Sequence, residues 1–461
     1  MPKWRWLVAG TFTTSPSGRK VSVSGERFAT VMKSLGVDAA VTLPTTLGES
    51  VSGPVPVQFT RPRMFRVDDV VDAIEPLQKL AALAKALTKE SDLAPEVVKA
   101  RVERIVGPGG LAERFGVVAP APEPDPEPEP EPDPEPQPAT PTPAPAPTSG
   151  NVDDIFSKVE LPGAEPEVTA KSGLDAFVSA MRGPKGRPKV VDTHARVDAV
   201  KQIRTTVASA AISILGQPTV ARLEASWRGL KMLVAASPGH EHLGIDLVDV
   251  DPDSLLESLE RAVRADDPLR PNAIFVGLVP PPSLLEQLAE FAESRRVPIV
   301  VGVSKTLTGP AWRTEDPHVA PDWTALRART AADWICAAAN PVVLANEDTA
   351  AGPRVVHGSA AWGVAAILAS ALGRAGGLHS SIGPSGAVVA PAAHDVDIGF
   401  SEPRTIPTRE YADVDALKRA AEHGVVLLGS APGSDQFLAS SDTMAGRGGL
   451  LERIQVAAER G

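Results

Sequence analysis

A phosphate-binding loop needs glycines whose N–H groups can close on an anion, followed by a lysine and a hydroxyl residue. The run Gly302-Val303-Ser304-Lys305-Thr306 supplies the lysine and the hydroxyls, but its one glycine stands three residues before Lys305. Val303 and Ser304 carry side chains where the backbone would have to approach phosphate. At Gly277-Leu278-Val279-Pro280-Pro281-Pro282, three prolines remove the N–H donors that such a cradle uses. Histidine occurs at His194, His240, His242, His318, His357, His379, His394 and His423. His240 and His242 follow a Pro-Gly turn, but two residues apart they share no helix face, and spacing places no third ligand. Gly383-Pro384-Ser385-Gly386 is turn chemistry rather than a nucleophile elbow. The acid pairs Asp68-Asp69, Asp153-Asp154 and Asp266-Asp267 fall at helix starts or turns, where they serve as caps or dipole partners. These residues point to no enzyme, no cofactor and no metal.

The single cysteine, Cys336, excludes an internal disulfide and a cysteine-based zinc site, and in Trp334-Ile335-Cys336-Ala337 it reads as a small buried apolar residue. The 461 residues are 43% hydrophobic but only 4% aromatic, which predicts aliphatic cores large enough for two or three domains. The net charge is −11, and seven acids with no base lie in 120–136, so the remainder carries −4. Nothing in that balance points to nucleic acid. The N-terminal run contains no signal-peptide core and no apolar stretch is long enough to span a membrane, so the expected location is the cytoplasm.

The elements that would carry any site are divided by the run from Pro120 to Gly150, where proline alternates first with Glu or Asp and then with Ala and Thr. Such a run excludes helix and sheet and predicts a polyproline II spacer reaching on the order of 90 Å. Before it, Trp4–Phe12 reads as a strand, Glu26–Leu35 as a helix, and Ala39–Leu43 and Val55–Phe59 as strands. The three- and four-residue spacing over Val67–Leu87 predicts a long helix that Pro76 kinks or splits, and Pro95–Val106 reads as another. After the spacer come helices over Asp192–Ile214 and Thr219–Ala235. Near-continuous apolar strands at Ile245–Val250, Ala273–Val279 and Val297–Val303 then alternate with helices, which is the pattern of a parallel sheet covered on both faces. Ser359–Leu372 reads as a buried helix, Val425–Leu428 as a strand and Leu450–Ala458 as a helix. The fold class is α/β: two α/β bodies with a parallel or mixed sheet, at 1–117 and 151–461, joined by a linker at 118–150.

Four groups of residues carry a family resemblance. Leu7-Val8-Ala9-Gly10-Thr11-Phe12 with Glu26-Arg27-Phe28 is the first. Val57-Gln58-Phe59, Phe65-Arg66-Val67-Asp68-Asp69-Val70 and Pro76-Leu77-Gln78-Lys79-Leu80 form the second. The third is Ala221-Arg222-Leu223-Glu224-Ala225-Ser226-Trp227-Arg228-Gly229-Leu230. The fourth runs from Gly358-Ser359-Ala360-Ala361-Trp362-Gly363 through Glu402-Pro403-Arg404-Thr405, Arg409-Glu410 and Gly424–Leu428 to Gly433-Ser434-Asp435-Gln436-Phe437. The first two resemble the small subunit (TssB/VipA) of the type VI secretion contractile sheath. The last two resemble its large subunit (TssC/VipB), here in a shortened form. The order suggests a fusion.

The resemblance implies a structural role in a sheath around an inner tube. Its partners would be copies of the chain or related sheath subunits, the tube protein, a baseplate and an AAA+ unfoldase of the ClpV type, whose recognition helix Val152–Val159 matches loosely. It implies assembly residues at Trp4, Trp6, Val8 and Phe12, on an edge strand exchanged between neighbours, and at Trp227, Arg228, Gly229, Leu230, Trp362, Asp435 and Phe437. Two other functions are compatible with the sequence: a non-polymerising adaptor or terminator of such a system, and a small-molecule-binding α/β protein.

Overall fold

The computed structural model describes residues 3–51, 53–90, 94–115, 193–239, 241–264, 267, 269–304, 320–399 and 402–460. The spacer at 118–150, the Val152–Val159 segment, His240, Asp266 and Lys305-Thr306 lie outside the described residues. Met1–Gly116 and His194–Gly461 form one compact unit.

The chain begins with β1 (Trp4–Gly10) and β2 (Lys20–Val23). Helix α1 (Phe28–Leu35) buries Phe28, Val31 and Met32, and Gly36 ends it at a φ of 65°. A hairpin of β3 (Asp38–Thr42) and β4 (Pro54–Gln58) follows. The long periodic stretch is split as Pro76 foretold. Ile74 is extended between α2 (Val67–Ala73) and α3 (Glu75–Leu87), and Pro76 occupies the first turn of α3, where no N–H is needed. Helix α4 (Pro95–Val106) closes this first segment.

The second segment opens with α5 (Thr193–Leu215), α6 (Pro218–Ala236), β5 (Leu243–Asp249), α7 (Leu255–Ala262), β6 (Ala273–Val276), α8 (Pro282–Arg295) and β7 (Ile299–Gly302). Then come α9 (Pro321–Arg327), β8 (Ile335–Ala339), the β9 (Val342–Thr349) and β10 (Gly352–Gly358) hairpin, and α10 (Ala360–Ala375). Short strands β11 (Val388–Val389), β12 (His394–Val396) and β13 (Arg404–Ile406) precede α11 (Val414–Glu422), β14 (Val425–Gly429), β15 (Gln436–Ala439) and α12 (Leu450–Ala458). Among the described residues no helix is long and apolar enough to cross a membrane.

Among the described residues nine strands form one mixed sheet in the order β11-β15-β14-β8-β7-β6-β1-β5-β2. The six from β14 to β5 are parallel; β15 and β2 run antiparallel to them, and β11 pairs antiparallel with β15. The α/β class and the mixed sheet are as expected. The regions on either side of the spacer meet in this one sheet: β1 lies between β5 and β6, with Trp6 opposite Ile245 and Ala273 and Val8 opposite Leu247 and Phe275.

That placement corrects the expectation of an edge strand at Trp4–Phe12. The run is apolar on both faces, and both faces are covered. Trp4, Trp6 and Val8 join the core under α6 and α10, while Leu7 and Ala9 join the core under α7 and α8. A strand with two dry faces belongs inside a parallel sheet. Among the described residues the sheet margins are instead β2 and β11.

Candidate functional site

The motif Leu223–Leu230 lies on α6, where Pro218 takes the first turn and Leu223, Glu224, Ser226, Trp227, Gly229 and Leu230 are buried. Those residues span most of the helix circumference, as required of a helix held between the sheet and other elements. Trp227 reaches the end of the strand from the first segment. Its Nε1–H donates to the Phe12 carbonyl at 2.9 Å, and its ring meets the rings of Phe12 and Phe28 edge-on, with centroids 5.2 and 5.7 Å apart. From the other side, Asp249 at the end of β5 accepts from the Phe12 N–H (2.7 Å), the Thr13 N–H (3.1 Å) and the Thr13 hydroxyl. Burial pushes the Asp249 carboxyl above its ordinary pKa, against the opposing pull of those three donors.

One turn before Trp227, Glu224 is buried and shared by two arginines. Arg228 Nε meets Glu224 Oε1 at 2.7 Å, and Arg354 on β10 makes a two-pronged contact with both carboxylate oxygens. Glu347 on β9 completes the group, 3.1 Å from Arg228 and 3.8 Å from Arg354. The other Glu347 oxygen accepts from the Val67 N–H at the start of α2 (3.1 Å), and both arginines point N–H groups at the Phe65 carbonyl (3.3 and 3.4 Å). This two-arginine, two-glutamate group therefore ties α6 and the β9–β10 hairpin to the first segment. A carboxylate at a helix N-terminus also complements its dipole.

Gly229 lets α10 approach. A Cβ there would lie 2.6 Å from the Trp362 ring, and a Cβ at Gly277 would strike the same indole. The expected residues Trp4, Trp6, Val8, Phe12, Trp227, Gly229, Leu230, Trp362 and Phe437 are all buried, and Arg228 is nearly so. Asp435, before β15, is exposed. The structure brings Phe12, Trp227, Arg228 and Gly229 into one joint, with Trp362 behind it and Asp435 and Phe437 in the β15 region. Sequence reasoning missed Glu347, Arg354 and Asp249 as members. The Glu224–Arg228 spacing of four was the visible signal.

The described Cys, Ser and His residues weighed for chemistry are not members of this joint. Cys336 is fully buried in β8, and burial raises its thiol pKa far above the ordinary value. Ser304 follows β7, and His242 is exposed before β5. His357 packs edge-on against His394 with ring centroids 5.4 Å apart. Burial, with Arg409 and His394 adding to it, pushes its pKa down to about 4. Among the described residues no group of three His, Cys, Asp or Glu side chains is placed to hold a metal. The joint itself binds and positions chain segments, and its charges are met by one another.

Residues 197–269 match the family model VipB, described as EvpB/VC_A0108, tail sheath N-terminal domain. The matched stretch runs through α5, α6, β5 and α7, and so contains Glu224, Trp227, Arg228, Gly229 and Asp249. This region is like that of the type VI sheath large subunit, and the match supports a structural, non-enzymatic role of that kind. No curated protein matches the chain.

Proposed function

We propose that the chain is a structural component of a contractile, type VI secretion-like sheath, with a small-subunit-like part (1–117) and a large-subunit-like part (151–461) fused in one polypeptide. The observation that carries this reading is the position of β1. The sheath-like region supplies β5 within its matched span, and the first segment fills the place between β5 and β6, with Phe12 held by Trp227 and Asp249. A brick in a lattice that stores and releases strain must carry force without its own parts separating. A strand paired on both sides, locked by buried aromatic and ionic contacts, is suited to that.

On this reading Trp4, Trp6, Val8, Phe12, Trp227, Arg228, Gly229, Leu230, Trp362 and Phe437 act in assembly from within, by holding the brick together, and exposed Asp435 is a candidate for contact between bricks. The partners are further copies or related sheath subunits, an inner tube, a baseplate and a ClpV-type unfoldase, in the cytoplasm. Electron microscopy of the purified chain, alone and with a tube protein, tests it. The expected result is rings or tubes with a lumen. A particle that stays monomeric under both conditions overturns polymerisation, and a monomer that decorates the end of a preformed sheath identifies a terminator instead.

A further inference from the structure

We propose that a cationic groove beside β11 is a docking site for an extended, acidic segment of another protein. The groove has a volume of about 770 Å³ and lies among the start of α2, the end of α6, α10 and β11. Its floor includes the buried side chains of Met232 and Leu344. Five cations line it, Arg63, Arg66, Arg228, Lys231 and Arg374, and no acidic residue does among those described. On a chain with 57 acids against 46 bases, an acid-free cluster of five is a local reversal of the molecule's overall field.

Two of the five are committed: Arg228 to Glu224 and Glu347, and Arg63 to Asp69 at 3.5 Å. Arg66, Lys231 and Arg374 are exposed at the rim. Among the described residues no carboxylate pairs with these three.

The backbone of β11 decides what form an acidic partner takes. Among the described residues this strand is the margin of the nine-stranded sheet and pairs only with β15. The Ala390 N–H donates to the Asp435 carbonyl at 2.9 Å, so Ala390 and Val388 face β15. By the alternation of an antiparallel ladder, the N–H and C=O of Val389 between them face outward. The Ala387 carbonyl, facing the same way, is already taken by Arg374 at 3.0 Å. Val389 is 54% exposed. An extended backbone can pair with Val389 and send alternate side chains to the apolar floor and to the cations. A phosphate or nucleic-acid backbone would make no use of the paired donor and acceptor on a strand margin. The site does not depend on the sheath reading, since tubes can form without it and it can bind without tubes.

Fluorescence anisotropy on the full chain tests the site, using a labelled peptide of alternating Glu and Val, a Lys-Val counterpart and a single-stranded oligothymidylate. The Glu-Val peptide is expected to bind, more weakly as salt rises. Lys231→Glu and Arg374→Glu should each weaken it about fivefold, the scale of an exposed ion pair. Val389→Pro, which removes the outward N–H without removing a hydrogen bond to β15, should weaken it with the circular dichroism spectrum unchanged. If that variant unfolds, Lys231→Glu alone decides. Equal binding of the Lys-Val peptide, preference for the oligonucleotide, no binding of the Glu-Val peptide, or indifference to Lys231→Glu overturns the proposal.

Discussion

The Glu224 side chain is 1% exposed, yet it is the acceptor on which two arginines converge. A charge in that position is tolerated only because both its oxygens are engaged and its partners are themselves held by Glu347 and the Phe65 carbonyl. Removing one partner strands the others. Glu224→Gln is therefore expected to destabilise the unit by about 3 kcal/mol, the scale seen when a buried pair loses one member. Because Arg354 loses its main acceptor in that variant, Arg354→Gln added to it should cost much less than it does alone. A double-mutant cycle from urea unfolding midpoints should give a coupling of roughly 1–3 kcal/mol. A change of under about 0.5 kcal/mol for Glu224→Gln, ordinary for a surface site, would show that the group does not hold the segments together. Only half of this group was legible. Glu224 and Arg228 are four apart on one helix, a distance any reader of the sequence can count. Arg354 and Glu347 arrive from a hairpin more than a hundred residues later, and no local pattern assigns them a partner.

At the scale of elements, α6 and α10 are packed face to face through a glycine. Alanine at Gly229 would improve helix propensity by about 1 kcal/mol if nothing stood in its way. Its Cβ, however, would lie 2.6 Å from the Trp362 ring, and that indole is also confined by Gly277. Trp362 is fully buried and cannot swing aside. The expected sign is thus reversed: Gly229→Ala should destabilise by roughly 1–3 kcal/mol, the cost of overpacking a close-packed core. Differential scanning calorimetry reads it, and a raised melting temperature would mean that the helices are not in contact here.

The same elements show what the sequence can carry. The alternation from β5 to β7 was legible because buried parallel strands are continuous apolar runs, and the split at Pro76 because proline has a fixed place in a helix. Strand β8, Ile-Cys-Ala-Ala-Ala, was not, since alanine favours helix and leaves a strand no β-branched signature. The place of β1 was misjudged for a different reason. Its composition announces two dry faces, but which strands lie beside it is a non-local fact, and an exchanged edge strand would carry a similar run of large apolar residues.

For the whole molecule, the central question is whether 1–117 and 151–461 are one folding unit. Without β1, the inner margins of β5 and β6 face an empty place, and two unpaired strand margins inside an apolar layer invite aggregation. The second segment would also lose the packing of Trp6 and Phe12, both fully buried, and of Trp4. At roughly 3–5 kcal/mol for each large aromatic truncated from a core, those three alone approach the stability of a typical domain. Expressed as separate polypeptides in the same cell, 1–117 and 151–461 should therefore co-purify as a stable one-to-one complex, and 151–461 produced alone should be insoluble. Trp227→Ala, which removes the hydrogen bond to Phe12 and two aromatic contacts, should weaken recovery of the complex more than an exposed substitution such as Lys231→Ala. If 151–461 by itself were monomeric, unfolded cooperatively at the temperature of the intact chain and ignored 1–117, the inserted strand would be dispensable and the joint would not be what makes these two segments one folding unit.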